Sequence, residues 1–141
     1  MIRNLSRQTL LAENEYYALG FRDRLQGMIG RRFERAMDCM VFPACNSIHM
    51  FFMGMELDAV FLDRENRIVK RVTAKPWRIY WGGRKAYCVL ELPAGRGDEA
   101  MCRVGDVLDL NGEACREKMK ENGKIRHFTF SSPELPDGKK V

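Results

Sequence analysis

Several common signatures are missing from this chain. It has no cysteine pair at C-x-x-C spacing, only two histidines, and no apolar stretch of membrane-spanning length. Its five cysteines, at 39, 45, 88, 102 and 115, are odd in number and widely spaced. That spacing excludes a zinc ribbon or a dithiol redox motif, and predicts reduced thiols that pack as small hydrophobes. His127 stands alone beside Arg126, so no metal or other cofactor is expected. The longest apolar-rich stretch, around 48–62, is interrupted by His49, Glu56 and Asp58, which rules it out as a bilayer helix. The opening "MIRNLSRQTLLAENEYY" carries basic residues but no apolar run of signal-peptide length, so a cytoplasmic location is expected. A nucleotide-binding loop, a nucleophile elbow, a metalloprotease helix and internal repeats are all absent.

What is present is an ordinary globular composition, 45% hydrophobic and 30% charged over 141 residues. That length suits one domain burying roughly two-thirds of its unfolded surface. A net charge of +5 raises the question of nucleic acid. Arg31, Arg32, Arg35, Lys75 and Arg78 could form a phosphate-facing strip, yet acidic residues are interleaved throughout.

Asn14 followed by Tyr17, Phe21, Leu25 and Met28 at helical spacing predicts a helix over 14–26, with Gly20 as its weak point. From residue 37 the pattern changes to short runs of Val, Ile, Phe, Tyr and Trp divided by Gly, Pro, Asn and Asp. Strands are expected near 38–43, 47–53, 56–62, 67–74, 77–81, 86–92, 104–110 and 125–131. Asn66, Gly82 and Gly83 mark turns, and "NGEACREKMKENG" predicts a short helix from residue 111. The fold class is therefore mainly β: a single sandwich, jelly-roll-like or barrel-like domain with an N-terminal helix and a short C-terminal one. It should span 1–132, with 133–141 as a polar tail.

The stretch "CNSIHMFF" (45–52) concentrates chemistry. If Gly54 and Met55 turn a hairpin between 47–53 and 56–62, then Ile48, Met50, Phe52, Leu57, Ala59 and Phe61 share a core face. Cys45, Ser47 and His49 then share the other with Phe51, Glu56 and Asp58. Asp58 would orient the imidazole and Cys45 could be activated beside it, although a purely structural pairing is the commoner outcome. Glu91, inside "LELPAG", needs a partner if buried; Arg31 could serve, or Asp58 as a second carboxylate. "KPWRIYW" sets Trp77, Tyr80 and Trp81 among basic residues; core or barrel-rim packing is favoured over exposed stacking. "GRGD" at 95–98 reads as a turn.

Together, "GMIGR" (27–31), "CNSIHMFFMGMELDAVFLD" (45–63), "KPWR" (75–78), "LELPAG" (90–95) and "VGD" (104–106) resemble, in order and spacing, the bacterial and archaeal family called domain of unknown function 192. The resemblance covers roughly 25–110 and implies one mostly β domain, with no established reaction or cofactor. Positions matching the family's polar pattern are Arg31, Cys45, Asn46, His49, Asp58, Glu91 and Asp106. Met50, Glu56 and Cys39 stand where the family commonly has threonine, proline and glycine. Residues from Asn111 onward form an extension outside the match.

Three functions follow. The leading one is a binding module for a small polar ligand, glycan or protein segment, using Arg31, Cys45, Asn46, His49, Asp58, Trp77 and Glu91. The second is an enzyme with His49, Asp58, Cys45 and Glu91 converging in a pocket. The third is the nucleic-acid strip, which requires its basic groups on one face.

Overall fold

The computed structural model describes residues 1–110. In chain order the elements are β1 (Ile2–Asn4), β2 (Thr9–Ala12), β3 (Glu15–Tyr17), α1 (Phe21–Gln26), β4 (Cys39–Pro43), β5 (Ser47–His49), β6 (Leu57–Leu62), β7 (Ile68–Ala74), β8 (Ile79–Trp81), β9 (Cys88–Pro93), α2 (Arg96–Glu99) and β10 (Leu108–Asp109). A central five-stranded sheet has the order β3-β4-β9-β6-β7; β10-β1-β2 and β5-β8 form two smaller sheets, and no sheet of the described residues closes into a barrel.

The sequence of the central strands explains this layering. β4, β6 and β9 are nearly unbroken apolar runs, so they need cover on both faces. On one face Val41, Val60, Leu62, Leu90 and Leu92 pack against Ile2, Leu11 and Leu108 of the three-stranded sheet and against Leu110 just beyond it. On the other, Met40, Phe42, Ala59, Phe61 and Val89 pack against Met28, Ile48, Met50 and Met53. The domain is mainly β, as its composition of short strands predicts, and two separate cores lie either side of one sheet. Among the described residues no helix is long and apolar enough to cross a membrane.

Polar side chains pin the first face. Asp106 Oδ2 accepts from Asn4 Nδ2 (2.9 Å), Arg7 Nε (3.1 Å) and the Arg103 backbone N–H (3.0 Å). Burial pushes this carboxyl up, but those three donors outweigh it and hold it below the usual carboxylate range. Asp58 is also buried here: its Oδ2 accepts the Gly97 N–H at 2.8 Å and its Oδ1 the Thr73 hydroxyl at 3.0 Å. Gly97 has no room for a side chain, because a Cβ would lie 2.7 Å from Arg71 Nη1. "GRGD" is thus a packed turn at α2.

Several expectations are corrected. The helix over 14–26 shrinks to α1, and its first part is β3, paired in parallel with β4. Tyr17 leaves the presumed helix face because its hydroxyl donates to the Leu110 carbonyl at 2.7 Å, deep under the sheet. Gly20 starts the helix rather than sitting inside it, accepting from Arg24 N, and Leu25 is 62% exposed. The strand over 47–53 stops at His49, and that over 104–110 reduces to β10. The predicted elements at 111–123 and 125–131, the domain limit at 132 and the tail at 133–141 lie outside the described residues.

Candidate functional site

The expected hairpin between 47–53 and 56–62 does not form. β5 pairs with β8 (Ser47 opposite Trp81, His49 opposite Ile79), whereas β6 lies between β7 and β9. The separating device is a pair of crossed backbone bonds. Met50 N donates to Arg78 O and Trp77 N donates to Met50 O, both at 2.7 Å, so the chain turns sharply at 50–53 instead of running on as a strand. In that turn Phe52 takes φ 62°, and across from it Trp77 takes φ 64°. Such left-handed backbone on a bulky residue costs about 1–3 kcal/mol and clusters at functional sites.

Both strained residues point outward. Phe52 is 71% exposed and Trp77 60%. His49 stacks on Phe51 (centroids 5.4 Å apart), Phe51 lies 6.2 Å from Trp77, and Trp77 meets Phe52 edge-on at 5.0 Å. Ile79 and Trp81 continue the same exposed face of the two-stranded sheet. The result is a ridge of four linked rings, three of them exposed and Phe51 half-buried. The core placement expected for Phe52 and the core or rim packing favoured for Trp77 and Trp81 are both corrected. Ile48 and Met50 are buried as expected, and Tyr80, half-buried, accepts the Lys75 N–H on its hydroxyl at 2.9 Å.

Behind the ridge lies a cavity of about 120 Å³. Its lining includes Glu91, Cys45, Ser47, His49, Phe42 and Gly27, so three residues singled out in the sequence do meet one space. Glu91 stands opposite Met40 on one side and Ala59 on the other, neighbours with no donor to offer. Its Oε2 is buried and has no hydrogen-bond partner among the described residues. Burial alone pushes this carboxyl from 4.5 up to about 8, because nothing compensates the charged form. An unmet buried oxygen costs about 1–3 kcal/mol. Cys45 Sγ is engaged with the Ser47 carbonyl at 3.0 Å.

The other candidates fall elsewhere. Asp58 shares its face with Val60 and Leu62, and Glu91 with Ala59 and Val89, so the two carboxyls lie on opposite sides of the sheet. Asp58 therefore neither pairs with Glu91 nor orients His49. Arg31 donates to Gln26 Oε1 at 3.3 Å and sits 5.7 Å from the Tyr16 ring centre; it does not satisfy Glu91 Oε2. With Arg32 and Phe33 it borders an open cleft of about 750 Å³ that reaches Phe52. Arg35 lines a different hollow, with Glu13, Glu34 and Asp38. Asn46 is exposed, its carbonyl accepting the Gly82 N–H at 2.8 Å. Among the described residues no group of three or more His, Cys, Asp or Glu could hold a metal ion. Phe51, Ile79 and Trp81 are not among the candidate site residues taken from the sequence; for Ile79 and Trp81 the acid-free run of basic and aromatic residues at 75–85 was the available signal.

A profile of the family described as "Uncharacterized ACR", domain of unknown function 192, matches residues 6–110. A UPF0127 protein of Thermococcus sibiricus is 40% identical over 67 residues, 48% of this chain and 44% of that protein. A UPF0127 protein of Pyrococcus horikoshii is 42% identical over 60 residues, 43% of this chain and 52% of that protein. The chain thus spans about half the length of the curated relatives it matches. A crystal structure of a protein of unknown function from Novosphingobium aromaticivorans shares the fold at TM-score 0.59 and 18% identity, covering 67% of this chain and 73% of that one. A candidate transcription regulator from Sinorhizobium meliloti matches at TM-score 0.59 and 25% identity, covering 67% of this chain and 79% of its own.

Proposed function

The chain belongs to this family of uncharacterised proteins, domain of unknown function 192, and from that premise we propose that it is a binding module whose recognition surface is the β5–β8 ridge. The observation that carries the reading is that Phe52 and Trp77 both hold left-handed backbone while exposing their rings. Backbone strain offset elsewhere in the fold, together with an exposed apolar patch, is the usual mark of a contact surface. The ligand class that suits it is a glycan or protein segment with flat or apolar faces to lay on four rings. The cleft beside Phe52, bordered by Arg31 and Arg32, offers a polar continuation. Titrating acidic and neutral oligosaccharides and peptides while following Trp77 and Trp81 fluorescence tests the reading. Saturable quenching that Trp77→Ala removes supports it; identical titrations in wild type and variant would count against it.

One observation favours a second reading, single-stranded nucleic acid. Lys75, Arg78, Arg84 and Lys85 are all exposed, and the segment 75–85 has no acid. Rings interleaved with cations suit base stacking and phosphate contact. Binding of an oligonucleotide that weakens steeply between 50 and 200 mM salt would move the assignment there. The enzyme reading draws less support, because Asp58 lies across the sheet from Glu91 and leaves His49 without that orienting carboxylate.

A further inference from the structure

We propose that the cavity floored by Glu91 is a binding site for a compact primary ammonium group, carried by a ligand portion of a few heavy atoms. The size limit comes from the volume of about 120 Å³, the space of about four water molecules. The chemistry comes from hydrogen-bond accounting. No side chain around the cavity donates to Glu91 Oε2: Arg24 donates to the Pro43 and Ala44 carbonyls, Gln26 Nε2 to Ile29 O and Cys45 Sγ to Ser47 O, while Ser47 and His49 line the space without reaching that oxygen. The buried group left unmet is an acceptor, Glu91 Oε2, and a ligand that brings a donor meets it.

The surroundings fit a nitrogen cation better than a neutral donor. An N⁺–H to carboxylate bond is about twice as strong as a neutral one, and the short methylene arm of an amine finds apolar walls in Phe42, Met28 and Ile48. Gly27 presents no side chain on this side; a Cβ there would lie 4.0 Å from Oε2 and 3.5 Å from Phe42, narrowing the approach to the oxygen. The charged and titratable groups around Glu91 are Arg24 from α1, Cys45 and His49 at the mouth, and Cys39 in β4, whose thiol burial pushes well up.

Binding then carries a proton signature. Glu91 is largely protonated at neutral pH, so an ammonium ion must displace its proton, and affinity should rise about tenfold per pH unit from 6 to about 8. The site shares His49 with the ring ridge, but Trp77 lies outside its lining, so Trp77→Ala tests the ridge and Glu91→Gln the cavity, and the two readings fail independently.

The experiment is calorimetric titration of the full chain with methylammonium and ethylammonium at pH 6, 7 and 8, with tetramethylammonium and acetamide as comparators. Expected are saturable binding of the two primary amines, tightening with pH, no binding of tetramethylammonium, and loss of at least tenfold in Glu91→Gln. That variant is nearly isosteric and matches the protonated state, so it should fold; a thermal melt at pH 6 confirms it. A ¹³C titration of Glu91 supplies a second readout, its midpoint moving down when amine is added. Absence of saturable amine binding at pH 8, or amine affinity unchanged in Glu91→Gln, overturns the proposal. Acetamide binding that weakens as pH rises overturns it in favour of a neutral donor.

Discussion

Glu91 ties the chemistry of one side chain to the stability of the whole chain. Below about pH 4.5 it is protonated in both the folded and unfolded chain, and its contribution is fully present. Between there and about 8 the unfolded chain releases the proton while the folded chain keeps it. Stability therefore falls as pH rises through that window and levels off above it. The loss attributable to Glu91 should be on the order of 5 kcal/mol. In Glu91→Gln the slope should largely vanish, which urea titrations at pH 5, 6.5 and 8 would read directly. Equal slopes in both proteins would mean the carboxyl is not held protonated by its surroundings. His49 and Cys45, named beside it in the sequence, reach the same cavity from a different strand than the hairpin reading supposed.

At the scale of elements, the β5–β8 pair sets ridge exposure against backbone comfort. Glycine at position 52 would relieve the left-handed backbone but add freedom to the unfolded chain, two effects that roughly offset. Phe52→Gly should thus melt within a few degrees of wild type while losing ridge binding. A large fall in melting temperature would show that the ring supports the fold instead. The opposite behaviour is expected at Gly82, which follows β8. A Cβ there would lie 2.2 Å from Phe61 Cδ1 and 2.8 Å from the Ala86 methyl. Gly82→Ala should destabilise by about 2–4 kcal/mol by overpacking, measurable as a lowered urea midpoint with an unchanged slope. Phe61→Leu in the same chain should recover part of that loss.

Across the whole molecule, two cores on one sheet imply a gradient of protection. Amides of β4, β6 and β9 sit between both cores and should exchange only through global unfolding. Those of the two-stranded sheet are half in water and should exchange orders of magnitude faster by local opening. Hydrogen exchange read by mass spectrometry would resolve the two groups, and uniform protection would contradict a layered build. The two-sided burial was partly legible beforehand: "MVF", "LDAVFL" and "VLEL" lack the alternation of a wet-faced strand. The short strands β1–β3 were not, because segments of three or four residues carry too little periodicity to register.

The mainly β class, the positions of the central strands, the absence of a disulfide among the described cysteines and the family were all readable from the sequence. These follow from local properties such as β-branched runs, turn residues and cysteine spacing. Only the tertiary structure decided which strand pairs with which, and so which side chains meet. Gly54 and Met55 look like a hairpin turn, yet two backbone bonds to Met50 from 77–78 outcompete it and send β6 into another sheet, between β9 and β7. That one choice of partner put Asp58 under α2, left Glu91 without a donor and turned Phe52 and Trp77 out to water. Strand pairing is a contest between distant segments, and a pattern confined to a dozen residues does not contain the competitor.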